Sequence, residues 1–521
     1  MRHQKPRCAA LLGPLSAARR RFLGYGSAVI AASVTGPLFS RLAQAQTASF
    51  DFYISPTGSD SNPGTSASPW ALTALNTHQA AYAGHRVGVL PGTYNCLSLI
   101  GGSYGSSFST PAFNIAGGTA GSPTVIQSTV PQGAILDGGA NASNNPNGQP
   151  LIGTISPACG LGYITLDGFE VRNTYARAIS VGYDPGAATP SQRLLGIVVQ
   201  NCYVHALTNT IQAGNPTGIT AYACNGALIQ NNYITNLADT SSRASGIQIW
   251  TSINCVTQFN TIVSTSSQQV DGINHKNMAQ SNNTICYNYI DLSASGSNSV
   301  NGICPDSDGD GSTTSSVHNN IVIADSSAAP AMIDTGNFPS SLNKQVWYNN
   351  TFVGVPNNSV GAFVRFGAPS TISFYNNIIS RTSTGGRGDV NTSASALALI
   401  DYNCYPSAPM LGLTPNGSTG YPSSLLSSLV AWALALLTTS GKDAHSITGN
   451  PQFAASGSGP AYYQLQSGSP CKGSGSTNGG SGGSPTDMGA WGNGATTIGC
   501  SFAPGATAVV VPNPPQIISV T

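Results

Sequence analysis

Asn232-Tyr-Ile, an asparagine followed by two residues that favour β-strands, returns five times further along the chain. The later copies are Asn260-Thr-Ile, Asn288-Tyr-Ile, Asn320-Ile-Val, Asn350-Thr-Phe and Asn377-Ile-Ile, at spacings of 28, 28, 32, 30 and 27 residues. A second series keeps nearly the same period, as Gly218-Ile219, Gly246-Ile247, Gly272-Ile273 and Gly302-Ile303. Two series in step indicate stacked supersecondary units.

The repeating unit is built from strands. Its apolar runs are three to five residues long and rich in Val, Ile, Tyr and Thr, whereas helical repeats need apolar residues at three- and four-residue steps over ten or more positions. Propeller blades are longer and need four strands. The sequence therefore predicts an all-β protein, a parallel β-helix with coils of about 28 residues. Stacked asparagines are expected to form amide ladders, and one short helix is expected over residues 422–441.

The first 45 residues have the pattern of an export signal. Arg19-Arg20-Arg21-Phe22-Leu23 precedes an apolar stretch, and Ala43-Gln44-Ala45 fits a small-residue cleavage site. The paired arginines resemble a bacterial twin-arginine signal, and an ordinary secretory signal is the alternative. We expect residues 1–45 to be removed on export to the periplasm or the cell exterior. Residues 46–500 should form the β-helix with its capping coils, and residues 501–521 a Pro-rich tail.

Composition excludes several classes of protein. Without residues 1–45 the chain holds 12 Lys and Arg against 18 Asp and Glu, so a nucleic-acid-binding protein, which needs a basic face, is not expected. The longest other apolar run, over 425–437, is too short to span a bilayer, so we expect no membrane anchor. We expect a monomer. Ten cysteines remain after position 45, an even number, and some should pair, with Cys471–Cys500 as the favoured disulfide.

Alternation along the Gly-Ile strands predicts one outer face that carries functional side chains. If each isoleucine points into the core, the side chains one and three positions later point outward. The predicted outward set is Thr220 and Tyr222, Gln248 and Trp250, Asn274 and Lys276, and Cys304 and Asp306, with Asp334 beside Cys304 if Ile333 aligns with Ile303. Coils lie about 4.8 Å apart, so these side chains should form two columns. The rings of Tyr222 and Trp250 and the amides of Gln248 and Asn274 make this face the candidate binding site for a polysaccharide, although a packed edge aromatic is the alternative for Trp250.

Three aspartates follow the fourth Gly-Ile strand. Asp306-Ser-Asp308-Gly-Asp310-Gly311 matches the first half of a calcium loop, but Val317 stands where the final Glu of such a loop would be. A Ca²⁺ site therefore needs another oxygen donor, from Asp334, Asp271 or Asn301. Carboxylates this close repel unless a cation lies among them, so we expect calcium here; the alternative is a polar turn with solvated carboxylates.

Lys276 is the candidate catalytic base. Only four lysines follow position 45, and this one lies in the predicted columns. A lysine acts as a base only as the neutral amine, and its ordinary pKa of about 10.4 must be lowered by a nearby cation or by partial burial. The alternative is a surface lysine on a polar sheet. His275 alternates inward and is expected to be a packed or hydrogen-bonded core residue.

Several segments resemble secreted right-handed parallel β-helix proteins of the pectate-lyase-like superfamily. Phe52-Tyr-Ile-Ser-Pro-Thr-Gly and Val89-Leu-Pro-Gly-Thr-Tyr94 resemble their first coils, and Asp443-Ala-His-Ser446, Asn450-Pro-Gln-Phe453 and Asp487-Met-Gly-Ala490 resemble their closing coils. The resemblance implies a right-handed β-helix over nearly the whole chain. Such proteins include lyases, hydrolases, epimerases and proteins without known activity, so the fold does not settle the function.

Asp271-Gly-Ile-Asn-His-Lys276 is similar to the Asp-Gly-x-x-x-Lys stretch of family-nine pectate lyases, in which the Asp is a calcium ligand and further aspartates follow one coil later. In that family the catalytic lysine lies on a coil after those aspartates, which implies Lys344 as a rival to Lys276, although Lys344 is expected in a turn. The lysine–arginine pairing of alginate and chondroitin lyases is not evident. Arg365, about three coils beyond Lys276, is kept as a candidate for substrate binding.

Three functions are open at this point. The favoured one is a calcium-dependent polysaccharide lyase that cleaves a uronate-containing glycan by β-elimination. The second is a glycoside hydrolase, which needs two carboxylates roughly 5–10 Å apart, such as Asp306 with Asp334 or Asp271. The third is a non-catalytic β-helix that binds glycans or a surface.

Overall fold

The computed structural model describes most of residues 49–504. The segments it leaves out within that range are 107–109, 156–161, 183–192, 210–215, 240–243, 265–269, 277–281, 295–300, 306–314, 325–332, 335–343, 355–363, 366–370, 382–389, 393–396, 406–410, 414–442 and 455–458. The predicted export signal, the predicted helix over 422–441 and most of the predicted tail lie outside the described residues. Among the described residues, no helix is long and apolar enough to cross a membrane.

Three long parallel sheets, which we call A, B and C, run side by side along the chain. From Arg86–Val89 to Leu411–Leu413 the chain passes in turn through sheet A, sheet B and sheet C. Sheet A contains Phe52–Ile54, Arg86–Val89, Thr124–Ser128, Ile164–Asp167, Ile197–Gln200, Leu228–Gln230, Val256–Gln258, Thr284–Cys286, Ser315–His318, Lys344–Tyr348, Thr371–Tyr375 and Leu397–Asp401.

Sheets B and C repeat this order. Sheet B contains Gly92–Asn95, Ala134–Asp137, Glu170–Tyr175, Tyr203–Asn209, Tyr233–Thr235, Leu237–Asp239, Thr261–Val263, Tyr289–Asp291, Ile321–Ala324, Thr351–Gly354, Ile378–Arg381, Cys404–Tyr405 and Ile447–Thr448. Sheet C contains Phe113–Asn114, Ile152–Thr154, Arg177–Val181, Thr217–Tyr222, Ala244–Trp250, Val270–Lys276, Ile303–Pro305, Ile333–Asp334, Val364–Arg365, Val390–Thr392 and Leu411–Leu413. The all-β parallel β-helix predicted from the repeat is confirmed.

The remaining elements are short. Two two-stranded pairs join Leu194–Leu195 to Cys224–Asn225 and Gly475–Ser476 to Pro485–Thr486. The described helices are Ala74–Thr77, Gln79–Tyr82 and Cys96–Leu99, with one 3₁₀ helix at Gly459–Tyr463.

The repeated asparagines form one continuous buried ladder. In each step the side-chain amide donates to the next side-chain carbonyl, at 3.0 Å from Asn232 to Asn260 and from Asn260 to Asn288. The same bonds continue through Asn320, Asn350, Asn377 and Asn403. The amide ladder predicted from the sequence is therefore present.

The left-handed backbone of each turn is carried by the residue before the ladder asparagine. Asn231, Phe259 and Tyr287 have φ of 53°, 54° and 57°. A left-handed backbone and an amide ladder are two separate roles, and asparagine is suited to both. The structure divides them, which allows aromatic residues at the strained position, where Phe259 and Tyr287 stack with ring centroids 5.0 Å apart.

A C-terminal segment, residues 475–504, runs back along the edge between sheets A and B; we call it the strap. Ser476 bonds to Asn376, the carbonyl of Asp487 accepts from Asn349, and the carbonyl of Ala490 accepts from Asn319. Further on, the Cys500 amide donates to Thr261 Oγ1 and the Ser501 amide donates to Asn231 Oδ1. Later residues of the strap therefore contact successively earlier coils.

The predicted Cys471–Cys500 disulfide is wrong. Both residues are unpaired thiols. Cys471 packs with Cys404 and Ile378 in a buried cluster, whereas Cys500 lies at Thr261. Thr261 and Ile378 are four strands apart in sheet B, about 19 Å, because the strap carries its two ends to different coils.

Candidate functional site

The isoleucine column fixes the register of sheet C. Ile219 pairs with Ile247, Ile247 with Ile273, Ile273 with Ile303, and Ile303 with Ile333. The first four side chains are completely buried. This confirms the predicted interior column and the parallel stacking of the four Gly-Ile strands.

The same register builds the two predicted outer columns, which together we call the candidate face. The first column runs Thr220, Gln248, Asn274 and Cys304, and Asp334 and Arg365 continue it because Ile303 pairs with Ile333 and Asp334 pairs with Arg365. The second column runs Tyr222, Trp250 and Lys276. Asp306 lies outside the described residues.

The first column is buried rather than open. The exposed fraction is 0% for Thr220, 1% for Gln248, 3% for Asn274 and 2% for Cys304. In the described part of the chain, Thr220 Oγ1, Gln248 Nε2 and Asn274 Oδ1 make no hydrogen bond. Buried polar atoms without a hydrogen-bond partner destabilise a fold. These three atoms therefore need partners that the described residues do not supply.

Arg177 contacts the two stacked aromatic residues at one end of the candidate face. The ring of Tyr222 stacks on that of Trp250 with centroids 5.4 Å apart and an interplanar angle of 28°. Arg177 Nη2 donates to Tyr222 Oη at 3.0 Å, and its Cζ lies 5.3 Å from the centroid of the same ring. Sequence reasoning missed Arg177, because it precedes the Gly-Ile series and belongs to no repeated motif.

Lys276 ends its strand directly beside Trp250 in the next coil. The preceding residue, His275, pairs with Ile249 and is 1% exposed, and its Nε2 lies 3.4 Å from Thr257 Oγ1. The expectation that His275 is a core residue is confirmed.

His275 makes stability depend on pH. Burial lowers its pKa from 6.5 to about 3, so below pH 6.5 protons bind the unfolded chain in preference to the folded one. Stability should fall as the pH decreases from 6.5 towards 3, by up to about 1.4 kcal/mol per pH unit. His275→Leu should remove this part of the acid sensitivity, measured as the change in unfolding free energy between pH 7 and pH 5 by urea titration.

The comparison uses the difference between the two pH values, so any constant loss caused by the substitution cancels. His318 has a pKa lowered to about 4 by burial, and it is present in both proteins, so its effect cancels too. Equal acid sensitivity in His275→Leu and the parent protein would contradict the assignment.

Lys344 lies on a different sheet from Lys276. It is exposed and begins the strand Lys344–Tyr348 of sheet A, where it pairs with Thr371. The expectation that it lies in a turn is wrong, because pairing with the next coil starts at this residue. The structure therefore does not place Lys344 in either column of the candidate face.

The structure separates Asp271 from the start of the aspartate triplet. Asp271 is 2% exposed, and its Oδ1 accepts from the amide of Asn301 at 3.0 Å. Pro305, which precedes Asp306, pairs with His275, four residues further along the strand, or about 13 Å. Asp271 thus lies at the opposite end of the strand from the position where the triplet begins.

Asp334 is closer than Asp271 to the start of the triplet, because it aligns with Cys304, two residues before Asp306. Asp306, Asp308 and Asp310 lie outside the described residues. Among the described residues, no group of three or more His, Cys, Asp or Glu side chains could hold a metal ion.

No protein-family model and no curated protein sequence matches this chain. Among solved structures, pectate lyase Pel9A is similar at 16% identity with a TM-score of 0.48, over 84% of this chain and 95% of that one. The fold itself is a parallel β-helix.

Two other solved structures are similar at lower TM-scores. A mannuronic acid-specific polysaccharide family 6 lyase from human gut microbiota is 13% identical with a TM-score of 0.44, over 70% of this chain and 76% of that one. A lacto-N-biosidase from Eubacterium ramulus is 14% identical with a TM-score of 0.33, over 58% of this chain and 64% of that one. The activity is argued below from the candidate face.

Proposed function

We propose that this chain is a calcium-dependent polysaccharide lyase that cleaves a uronate-containing glycan by β-elimination. The observation that carries the proposal is the second column of the candidate face, where a lysine stands in register with two stacked aromatic rings. Tyr222 is buried at 6% exposed and supports Trp250, which is partly exposed. Trp250 is therefore proposed as the ring that packs against a sugar, and Lys276 follows it one coil later.

β-Elimination requires a base that removes the proton next to the uronate carboxyl group. Lys276 is proposed as that base, acting as the neutral amine. Gln248 and Asn274 lie two residues before Trp250 and Lys276 on the same strands. Their buried side-chain amides carry polar atoms that lack partners in the described residues. The two side chains are 1% and 3% exposed, so a sugar hydroxyl reaches them only if the groups that cover this column move aside.

Calcium is proposed at Asp306, Asp308 and Asp310, with Asp334 as the further oxygen donor. Asp334 fits because it aligns with Cys304 in the neighbouring coil, and the triplet begins two residues after Cys304. Asp271 does not fit the same ion, because it lies at the other end of the strand. Bound calcium would supply positive charge to the uronate carboxylate.

Removal of calcium should lower the melting temperature. An ion that binds only the folded state stabilises it by about 2.7 kcal/mol at 100 times its dissociation constant. Asp308→Ala should abolish the difference between curves measured with excess calcium and with chelator. Asp291→Ala is the matched control, because Asp291 lies on sheet B, and that variant should keep the calcium dependence. Superimposable curves for the parent protein with calcium and chelator would reject the calcium site.

The activity itself is tested by incubating the protein with polygalacturonate, alginate and chondroitin sulfate, with and without chelator. A lyase leaves a conjugated double bond at the new chain end, which absorbs ultraviolet light. Reducing ends without that absorbance would indicate a glycoside hydrolase instead. In that case Asp306 and Asp334 would be the pair of acids to replace first, because the register puts the backbones of Asp271 and Asp334 about 14 Å apart.

A further inference from the structure

Two buried cysteines meet at the last coils of sheet B. Cys404 and Cys471 are both completely buried, and they share one apolar cluster with Ile378 and Met488. Their side chains form a hydrogen bond with each other. The structure has both residues as thiols, so the contact between them is one that a covalent bond can replace.

The thiol of Cys404 is directed differently from those of earlier coils. The thiols of Cys202 and Cys224 each donate to the backbone carbonyl two residues earlier, at 3.2 and 3.3 Å. The thiol of Cys404 lies 3.8 Å from the carbonyl oxygen of Gly449. It is therefore directed towards the segment that follows the last strand of sheet B, and the same segment carries Cys471.

The backbone holds each of the two cysteines in place. Cys404 pairs with Ile378 on one side and with Ile447 on the other, within sheet B. The carbonyl of Cys471 accepts from the amide of Met488 in the strap at 3.0 Å. These bonds do not involve the sulfur atoms, so the fold brings the two thiols together independently of the contact between them.

We propose that Cys404 and Cys471 are a site of covalent modification, at which a disulfide oxidant joins them in an intramolecular disulfide. One sulfur attacks the oxidant and forms a mixed disulfide, and the other then displaces the remaining oxidant thiol. The two cysteines lose two protons and two electrons, and the oxidant accepts them and leaves as two thiols. The proposal does not depend on the proposed function.

The bond has to form while the chain folds. The thiolate is the species that attacks a disulfide, and in the folded protein the hydrogen bond with Cys471 and burial both raise the pKa of the Cys404 thiol. Both side chains are exposed to the oxidant only before the cluster packs. The finished bond would close the chain from 404 to 471 into one loop, and closing a long loop restricts the unfolded chain strongly.

The test locates the bond by mass spectrometry in the full-length protein. The protein is unfolded in urea with dithiothreitol and refolded in reduced and oxidised glutathione, and free thiols are blocked with N-ethylmaleimide. Trypsin cleaves after Arg387, Lys442 and Lys472, so residues 388–442 and 443–472 form separate peptides with one cysteine each. The expected product is a linked pair of these two peptides that reduction separates.

Cys500→Ala is the matched control. Cys500 is the partner that closeness in sequence favours for Cys471, but it lies at Thr261, so this variant should keep the linked peptides. The oxidised parent protein should melt roughly 4–8 °C above the parent protein refolded in dithiothreitol. Cys471→Ala should lose the linked peptides and should melt at one temperature after both treatments.

Three results would overturn the disulfide. The first is a refolded parent protein, with its full melting transition, in which both peptides carry N-ethylmaleimide. The second is Cys471 linked to a cysteine other than Cys404. The third is Cys471 linked only to glutathione, which would show that the two sulfur atoms do not reach each other. If Cys471→Ala fails to fold, the peptides of the parent protein and of Cys500→Ala carry the test.

Discussion

Replacing Lys276 with alanine should lower the rate of elimination at least about 100-fold, while binding of the glycan changes little. A general base stabilises the transition state by accepting the proton, and typical contributions are 10²- to 10⁴-fold. Lys276→Arg should be equally inactive, because a guanidinium does not lose its proton in proteins. Initial rates from ultraviolet absorbance of the product, together with affinity electrophoresis, separate the catalytic effect from the binding effect.

Lys344→Ala is the matched control for this experiment. Lys344 is exposed and begins a strand of sheet A, so its removal should leave the rate unchanged. Activity lost in Lys344→Ala and kept in Lys276→Ala would assign the base to Lys344. If neither variant changes the rate of an active preparation, the base is not a lysine, and Asp306 and Asp334 become the residues to replace.

Asn288→Ala should destabilise the fold by roughly 3–5 kcal/mol. The side chain is completely buried, and its Nδ2 donates to the Thr257 carbonyl and to Asn320 Oδ1, both at 2.9 Å. Its Oδ1 accepts from the backbone and the side chain of Asn260. Alanine would leave these groups buried without partners in the middle of the ladder. Urea unfolding of the parent protein and the variant measures the loss.

Asn225→Ala is the control for a ladder that is not buried. Asn225 is partly exposed, and its Oδ1 accepts from Asn254 Nδ2 at 2.8 Å, where water can replace the lost bond. A loss below about 1 kcal/mol is expected. Equal losses in the two variants would show that burial does not set the strength of the ladder.

The central coils could be predicted closely from the sequence because every level of organisation there repeats. The period that places Ile247 beside Ile273 also places Gln248 beside Asn274 and Trp250 beside Lys276. One correct assignment of inward and outward positions therefore fixes the whole candidate face, and the structure has that register. The same logic predicted the asparagine ladder.

Features that do not repeat escaped prediction. Arg177 and Arg193 are single residues whose side chains reach Tyr222 in the next coil and Thr251 two coils on, and no spacing in the sequence marks such a reach. The division of roles between Phe259, at positive φ, and Asn260, in the ladder, also has no sequence signal, since an aromatic residue is not expected in that backbone region. The disulfide was misjudged because Cys471 and Cys500 are close in sequence but are held at different coils.

The strap changes how the solenoid can come apart. In a repeat protein each coil contacts only its neighbours, so unfolding can begin at one end and spread stepwise. The strap ties the coil of Asn231 to the coil of Asn376 through one continuous segment, with hydrogen bonds between residues 270 and 100 positions apart in sequence. These coils therefore lose their contacts with the strap together, and unfolding becomes more cooperative than the repeat alone would allow. Coils can stack as synthesis proceeds, but the coils that the strap contacts are tied together only after residues 475–504 have emerged.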